Sequence, residues 1–170
     1  MAIIRWIDEN VERVSLLVLL IVMSVVIILQ VFMRYAVSNS LSWSEELARF
    51  CFVWLIYIGI SYGVKKAKHI RVEAVLSLFK RKGKYIINMI SYVLFLFFAV
   101  YAVYYGFSIY SAIKETGQLA PSLGISMSIM YLGMPVGMVL TCIRLVQRMY
   151  IETKAFKNNE DIKDNDIPML

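Results

Sequence analysis

Four apolar runs that contain no charged side chain take up more than half of this chain. The runs span 14–33, 50–64, 85–113 and 119–143. A helix crosses the hydrocarbon core of a bilayer, about 30 Å thick, with roughly 20 apolar residues. Three runs reach this length, and the second reaches it once 47–49 are added. The sequence therefore predicts an all-α membrane protein with four transmembrane helices, over about 14–33, 47–64, 85–113 and 125–146.

The rest of the sequence leaves no room for a separate soluble domain. The chain has 170 residues, of which 60% are hydrophobic and 18% are charged, and its mean hydropathy is +0.68. This composition is more apolar than that of ordinary soluble domains. Because the connections between the runs are short, we expect one four-helix transmembrane bundle over 14–150.

Basic residues lie almost entirely on one side of the predicted helices. Fifteen of the 18 Lys and Arg residues lie in the two terminal segments or in the 65–84 connection, and only Arg34, Arg49 and Lys114 lie elsewhere. The positive-inside bias therefore predicts that both termini and this connection are cytoplasmic. Lys and Arg clusters beside a span are typical of contact with anionic lipid headgroups, so lipid rather than nucleic acid is the predicted partner. The predicted cytoplasmic interface consists of Lys65, Lys66, Lys68, His69 and Arg71.

Two amphipathic segments flank the spans on this basic side. Within 1–13, Ile4, Ile7 and Val11 share one helical face and Trp6 can act as an interfacial anchor, which predicts an N-terminal interfacial helix. Residues 72–79 repeat the pattern and predict a second short interfacial helix, although a solvated loop would also fit. The polar, acidic segment 151–170 is typical of a disordered cytoplasmic tail.

The outer connections carry signals for the start of two helices. Ser42 and Glu45 have the spacing of a capping box, in which Ser42 caps the helix and Glu45 reaches back to it. Glu45 and Arg49 are four residues apart and are expected to pair on one helix face. Proline and glycine within 120–124 predict an irregular stretch before the fourth helix becomes regular.

Glycine pairs in the second and fourth runs predict close helix packing. Each run contains two glycines four positions apart, and such G-x-x-x-G pairs let helices approach closely in lipid. A proline between the second pair is expected to kink the fourth helix. We expect these positions to pack within the bundle or against another membrane protein. The predicted helix-packing residues are Gly59, Gly63, Gly133, Pro135 and Gly137.

The spans lack the residue types that enzymes and cofactor sites require. The only histidine, His69, lies in the basic connection, and Cys51 and Cys142 stand alone inside apolar runs. No phosphate-binding loop, metal-ligand cluster or nucleophile–base pair is present. The midplane charges that self-sufficient coupled transporters use are also missing. We therefore expect no enzyme, no cofactor and no metal, but a scaffold for a larger membrane partner.

Two other functions stay open at this level. A small transporter or channel working as an oligomer would need a shared polar path, for which Ser15, Ser24 and Gln30 are the available side chains. A membrane anchor for a cytoplasmic or electron-transfer partner would use the 65–84 connection as its docking face. Solute movement by the chain alone would favour the first, and bound haem or flavin would favour the second.

Several short motifs, taken in order, resemble the small membrane subunit of tripartite ATP-independent periplasmic (TRAP) transporters. Each motif alone is weak, but their order and spacing together cover about residues 10–150. Two positions depart from the family pattern: Glu73 stands where aspartate is common, and Ser126 where proline is common. The motifs are QVFMRY at 30–35, WSEE at 43–46 followed by Arg49, Gly59, HIRVE at 69–73, SLGI at 122–125 and YLGMPVG at 131–137.

The resemblance implies a role in the bacterial inner membrane. In such systems a periplasmic binding protein delivers an organic acid, and a large multi-spanning subunit imports it with the sodium gradient. The small subunit would then brace the large one. Overall similarity favours the member that carries sialic acid (N-acetylneuraminate).

The resemblance also implies a cluster on the periplasmic side. These residues would order the outer edge for contact with the large subunit or the binding protein. An equally simple interpretation is that they only cap, pair and anchor this chain. The cluster consists of Arg34, Tyr35, Trp43, Glu45, Glu46 and Arg49.

Overall fold

The computed structural model describes residues 2–39, 41–66 and 81–158, and these form four long helices. All four are long and apolar enough to cross a membrane. Within the described ranges there is no strand beyond one isolated bridge, Leu119–Ser126. The prediction of an all-α membrane protein with four transmembrane helices is therefore confirmed. The helices are α1 (Ala2–Ala36), α2 (Ser42–Lys65), α3 (Arg81–Glu115) and α4 (Ser128–Lys157).

The helices pack side by side in an order that differs from their order along the chain. Extensive contacts join α1 to α2, α2 to α4 and α4 to α3. The expected bundle is therefore an open row with α1 and α3 at its two edges. Apolar side chains on both edge helices are largely exposed.

Small residues let the two central helices approach closely. A Cβ atom placed on Gly137 would lie 2.5 Å from Cβ and 2.7 Å from the carbonyl carbon of Tyr57, so the backbones of α4 and α2 nearly touch there. Gly133 lies against the Trp54 indole, whereas Gly59 has only ordinary contact with Leu16.

The α3–α4 contact also depends on small side chains. A Cβ on Gly106 would lie 3.1 Å from Cδ of Pro135, which is a helical residue of α4. Ala99 and Ala102 of α3 are buried and form a core with Met138. The remaining predicted packing residue, Gly63, lies in the last turns of α2 and is half-buried.

The start of α2 differs from the predicted capping box. Leu41 is the N-cap residue and no side chain caps the helix; Ser42 is already helical. Ser44 turns back instead, and its hydroxyl donates to the Leu41 carbonyl oxygen at 2.5 Å. Glu45 bonds to another helix rather than to its own N-terminus, so the capping-box prediction was wrong.

The connection between α3 and α4 is short and ordered by its own backbone. Gly117 and Gly124 adopt φ of +63° and +68°, which an L side chain rarely adopts. The Ala120 amide donates to the Ile125 carbonyl at 2.8 Å, and the Met127 amide donates to the Gln118 carbonyl at 3.0 Å. The irregular stretch expected at 120–124 is present, and α4 begins just after it, at Ser128.

The flanking segments bear on the remaining predictions. Residues 2–13 continue into the first span as one helix, α1, and α4 extends through Lys157 beyond the expected end of the bundle at 150. The second interfacial helix at 72–79 and most of the predicted tail, 159–170, lie outside the described residues. The cytoplasmic placement of both termini stays a prediction.

Candidate functional site

One buried ionic cluster joins three helices at the membrane face where α1 begins and α2 ends. We call it the Glu12 cluster, and it consists of Glu12, Ser61, Lys65 and Arg144. Arg144 Nε donates to Glu12 Oε1 at 2.8 Å, and Ser61 Oγ donates to the same oxygen at 2.9 Å. Lys65 Nζ lies 3.6 Å from Glu12 Oε2. The carboxylate thereby bonds α1 to both α2 and α4.

Burial makes the Glu12 cluster interdependent. Glu12 is 3% exposed, and the side chains of Lys65 and Arg144 are 8% and 10% exposed. An ion withdrawn from water is tolerated when an opposite charge and hydrogen bonds compensate it. Arg144 Nη1 also donates to Gln147 Oε1 at 2.9 Å, which fixes the guanidinium along its own helix. The cluster therefore acts as a specific joint between three helices.

A second polar layer continues along α4 and reaches α3. Asn88 Nδ2 donates to Glu152 Oε1 at 2.6 Å, and the Tyr85 hydroxyl lies 3.2 Å from Thr153 Oγ1. The Tyr85 ring stacks on Phe156 with centroids 4.3 Å apart. Arg148, between this layer and the Glu12 cluster, is only 2% exposed. Polar contacts thus fix α3 against α4 at the same end of the molecule.

Sequence reasoning assigned these charges to solvent or lipid headgroups and so missed the joint. A usable signal was present: Glu12, Lys65 and Arg144 lie within two residues of the ends of three charge-free runs, all on the same predicted membrane side. Opposite charges at one level of adjacent helices are candidates for pairing. What the sequence alone did not supply was the order of the helices, which brings α4 next to α2.

At the opposite membrane face, where α2 begins, Glu46 holds the α3–α4 connection. Its Oε1 and Oε2 accept from the Ser122 amide at 3.1 and 3.0 Å, and Oε2 also accepts from the Leu123 amide at 2.9 Å. Further along α2, Trp54 Nε1 donates to the Ile129 carbonyl of α4 at 3.1 Å. Because a carboxylate bond to backbone amides is stronger than a neutral one, α2 fixes this connection.

The other members of the predicted periplasmic cluster are less tightly engaged. Glu45 Oε1 accepts from Gln30 Nε2 at 2.7 Å, which joins α2 to α1. Arg34 and Arg49 are exposed, Tyr35 is 79% exposed and Trp43 is half-buried. Across the described residues, Glu45 and Arg49 form no ion pair, in contrast to the expected pairing.

The residues of the predicted cytoplasmic interface that the structure describes lie in different environments. Lys65, expected to face headgroups, is buried and pairs with Glu12 instead. Lys66 is exposed, and its ammonium lies over the Tyr62 ring, 6.0 Å from the centroid. Lys68, His69 and Arg71 lie outside the described residues.

The two polar ends are separated by one membrane thickness. From Glu12 to Gln30 along α1, and from Lys65 to Glu45 along α2, the helices rise about 27 and 30 Å at 1.5 Å per residue. This matches a hydrocarbon core of about 30 Å. In the described residues no group of three His, Cys, Asp or Glu side chains is placed to hold a metal ion. At one end Glu12 joins three helices, and at the other Glu46 holds the α3–α4 connection.

Fold and polar ends together define a small, four-span, all-α integral membrane protein in which buried charged side chains connect helices at one end. The chain belongs to the family of tripartite ATP-independent periplasmic transporters, DctQ component, whose sequence model matches residues 23–154. It is thus a small permease subunit of a TRAP transporter, a multi-pass protein of the inner membrane and not an enzyme.

Individual relatives agree with the family assignment. A putative TRAP transporter small permease protein of Haemophilus influenzae is 30% identical over 132 residues, 78% of each chain. The isethionate TRAP transporter permease protein DctMQ of Oleidesulfovibrio alaskensis is 27% identical over 85% of this chain, and the sialic acid TRAP transporter permease protein SiaT of Haemophilus influenzae is 28% identical over 78%. This chain spans only 24% and 21% of those two longer permeases.

Proposed function

We propose that this chain is the scaffold subunit of a sodium-coupled TRAP importer for an organic acid. A periplasmic binding protein delivers the substrate, a large membrane subunit carries it across, and this chain braces the large subunit. The observation that carries the proposal is the distribution of charged groups. In the described residues they lie toward the two ends of the helices, where Glu12 joins three helices and Glu46 holds a loop.

The apolar middle of the row supports a brace rather than a carrier. A coupled transporter places ionisable groups near the bilayer midplane. Between Glu12 and Gln30 on α1 the only charged residue is Arg13, next to Glu12, and between Glu45 and Lys65 on α2 the only ones are Glu46 and Arg49, near the outer end. Gln30, the main candidate for a polar path, is already bonded to Glu45. A path through this chain would have to be built from scattered hydroxyls.

The longer relatives support a large permease as the partner. In DctMQ and SiaT, the segment similar to this chain makes up about a quarter and a fifth of one permease polypeptide. A segment joined covalently to a permease in two relatives is expected to work beside a permease when it is a separate chain.

The identity of the transported acid is the most specific part of the proposal. Sialic acid is the substrate we favour, yet the relatives named for isethionate and for sialic acid are 27% and 28% identical to this chain. A subunit that only braces the carrier would not hold substrate-specific residues, which is consistent with this near-equality. Substrate choice then resides in the large subunit and the binding protein.

Affinity purification from membranes that contain the complete system tests the scaffold role. We expect the tagged chain to retain the large subunit, and cells without this chain to lose uptake of the transported acid. Uptake should return with the plasmid-borne chain. Uptake that persists at the wild-type rate without this chain would overturn the proposal, as would a chain that purifies without the large subunit.

A competition assay then addresses the substrate. With labelled N-acetylneuraminate as the tracer, unlabelled N-acetylneuraminate should suppress uptake, and isethionate at the same concentration should not. Absence of any N-acetylneuraminate uptake by an assembled and energised complex would contradict the sialic acid assignment and leave the scaffold role intact. Removing external sodium should abolish uptake if the importer is sodium-coupled.

A further inference from the structure

The two edge helices of the row expose surfaces of different chemistry. Along the membrane-spanning part of α1, most of the exposed side chains are aliphatic, such as Ile21 at 60%, Val25 at 57% and Ile28 at 68%, with one exposed aromatic side chain, Phe32 at 61%, toward the outer end. Branched aliphatic side chains match lipid tails. The α1 edge therefore needs no protein to cover it.

The α3 edge is aromatic and hydroxylated over the corresponding stretch. Ala99, Ala102 and Gly106 face α4, whereas the tyrosines beside them are exposed. Tyr101, Tyr104 and Tyr105 form a contiguous aromatic cluster. The ring centroids of Tyr101 and Tyr105 are 4.4 Å apart, and those of Tyr104 and Tyr105 are 5.2 Å apart in an edge-on arrangement.

The depth of this tyrosine cluster follows from the helix contacts. Gly106 lies against Pro135, and Gly137, two residues further along α4, lies against Tyr57. Since α3 and α4 run antiparallel, Tyr104 is nearly level with Tyr57 of α2. Tyr57 lies about 18 Å from Glu45 and about 12 Å from Lys65 at 1.5 Å per residue. The tyrosine cluster is therefore well inside the hydrocarbon layer and away from the interfacial aromatic belts.

Three phenol groups at this depth need hydrogen-bond acceptors. Tyr101, Tyr104 and Tyr105 are 55%, 72% and 47% exposed, and their hydroxyls form no hydrogen bond within the described part of the chain. Lipid tails offer none, and an unsatisfied hydroxyl in an apolar medium is costly. A protein surface with acceptors at this level would satisfy them, as polar side chains do across membrane helices.

A groove on the same face of α3 supplies room for a partner's side chains. It has a volume of about 490 Å³ and is open to the membrane. Two serine hydroxyls add hydrogen-bonding capacity near its outer end. The lining residues are Val100, Val103, Tyr104, Phe107, Ser108 and Ser111.

We propose that the tyrosine cluster and groove of α3 are the surface on which a transmembrane helix of the large permease subunit docks, with acceptor groups opposite the three phenols. This inference rests on the proposed function. The occupant is chosen because DctMQ and SiaT carry one such segment within one permease chain. One copy of this surface is therefore present for each large subunit, and the α1 edge is left to lipid.

Site-specific photo-cross-linking in membranes that contain both subunits tests the surface. The probe p-benzoylphenylalanine replaces Tyr104 in one variant and Ile28, on the α1 edge, in the matched control. We expect a cross-link to the large subunit from position 104 and at least about tenfold less from position 28. Cross-linking from position 28 alone, a product of two copies of this chain, or no protein product from position 104 would each overturn the inference.

Copurification of the same cross-linking variants separates this inference from the scaffold role. If the large subunit copurifies but position 104 yields no cross-link to it, only the docking surface is wrong. If the wild-type chain does not copurify with the large subunit, the scaffold role itself fails.

Removal of the hydroxyls alone provides the second test. A variant with Tyr101→Phe, Tyr104→Phe and Tyr105→Phe keeps the ring shapes and is expected to fold. Interhelical hydrogen bonds in membranes are modest, so the three together should weaken association with the large subunit by about tenfold. The control Tyr150→Phe, on an exposed tyrosine of α4, should leave association unchanged. Equal association of the triple variant and wild type would contradict the hydrogen-bonding part of the inference.

Discussion

At the scale of single residues, Glu12 joins three helices through one side chain. One carboxylate, 3% exposed, accepts from Arg144 and Ser61 and lies beside Lys65. Three helices therefore share one side chain, and the position of α1 relative to α4 depends on it.

Glu12→Gln should lower the free energy of unfolding of the purified chain by about 3–5 kcal/mol, because it removes the charge shared by two buried cations. Denaturant-induced unfolding of the purified chain in detergent measures the loss of stability. Glu115→Gln, at an exposed position at the end of α3, is the control and should be nearly neutral. If the two variants unfold alike, the Glu12 cluster does not hold the helices together.

Glu46 acts at the opposite end by a different means. It belongs to the predicted periplasmic cluster, and it touches the backbone of the α3–α4 connection. Arg49, predicted with it, is exposed, and a role in partner contact stays a proposal for that residue.

Glu46→Ala should expose the Ser122 and Leu123 amides, since their common acceptor is lost. Hydrogen bonds to a charged acceptor are worth roughly 1.5–3 kcal/mol, so these amides should exchange about 10- to 100-fold faster. Hydrogen–deuterium exchange with mass spectrometry resolves the 116–127 peptide. Glu45→Ala, which removes a bond to Gln30 on α1, should leave that peptide unchanged. Identical exchange in Glu46→Ala and wild type would show that the carboxylate does not hold the loop.

The residue scale also shows what the sequence could and could not predict. Charge-free runs predicted the spans, because transfer of apolar helices into lipid dominates every other term. The partners of Glu12 and Glu46 were not predicted, because Arg144 and Ser122 are far away in sequence. Local spacing even suggested a wrong partner for Glu45. It predicted Arg49 on the same helix, whereas the side chain that donates to Glu45 is Gln30 on α1.

At the scale of elements, one glycine sets the distance between α2 and α4. A Cβ at Gly137 would overlap both the side chain and the backbone of Tyr57, whereas a Cβ at Gly59 would lie 3.8 Å from Leu16 Cδ2. The first position admits no methyl group without moving a helix, and the second admits one.

Gly137→Ala should therefore destabilise the chain by about 1–3 kcal/mol through overpacking. Thermal unfolding in detergent measures the change. Gly59→Ala is the matched control and should unfold at or above the wild-type temperature, because alanine favours the helix. A Gly137→Ala chain as stable as Gly59→Ala would mean that α2 and α4 are further apart than the structure places them.

At the scale of the whole molecule, helix order explains how a small chain can brace a larger one. The row α1, α2, α4, α3 leaves two edges, and polar joints at both ends keep the row rigid. The order was not predictable from the sequence, since consecutive helices usually pack together, whereas α2 packs mainly on α4 rather than on α3.

The predicted orientation belongs to this scale as well. With both termini in the cytoplasm, a cysteine at Gln118 should react with a membrane-impermeant maleimide from the periplasmic side, and one at Lys157 should not. Both positions are exposed, and a background with Cys51 and Cys142 replaced by alanine removes native thiols. Labelling at Lys157 and not at Gln118 would invert the orientation.

The central claim is that this chain supports transport without carrying the substrate, and reconstitution tests it most directly. Proteoliposomes containing this chain alone, with the binding protein, labelled organic acid and a sodium gradient supplied, should accumulate no more label than empty liposomes. Vesicles with both membrane subunits should accumulate it. Sodium-dependent accumulation by vesicles that hold only this chain would contradict the account.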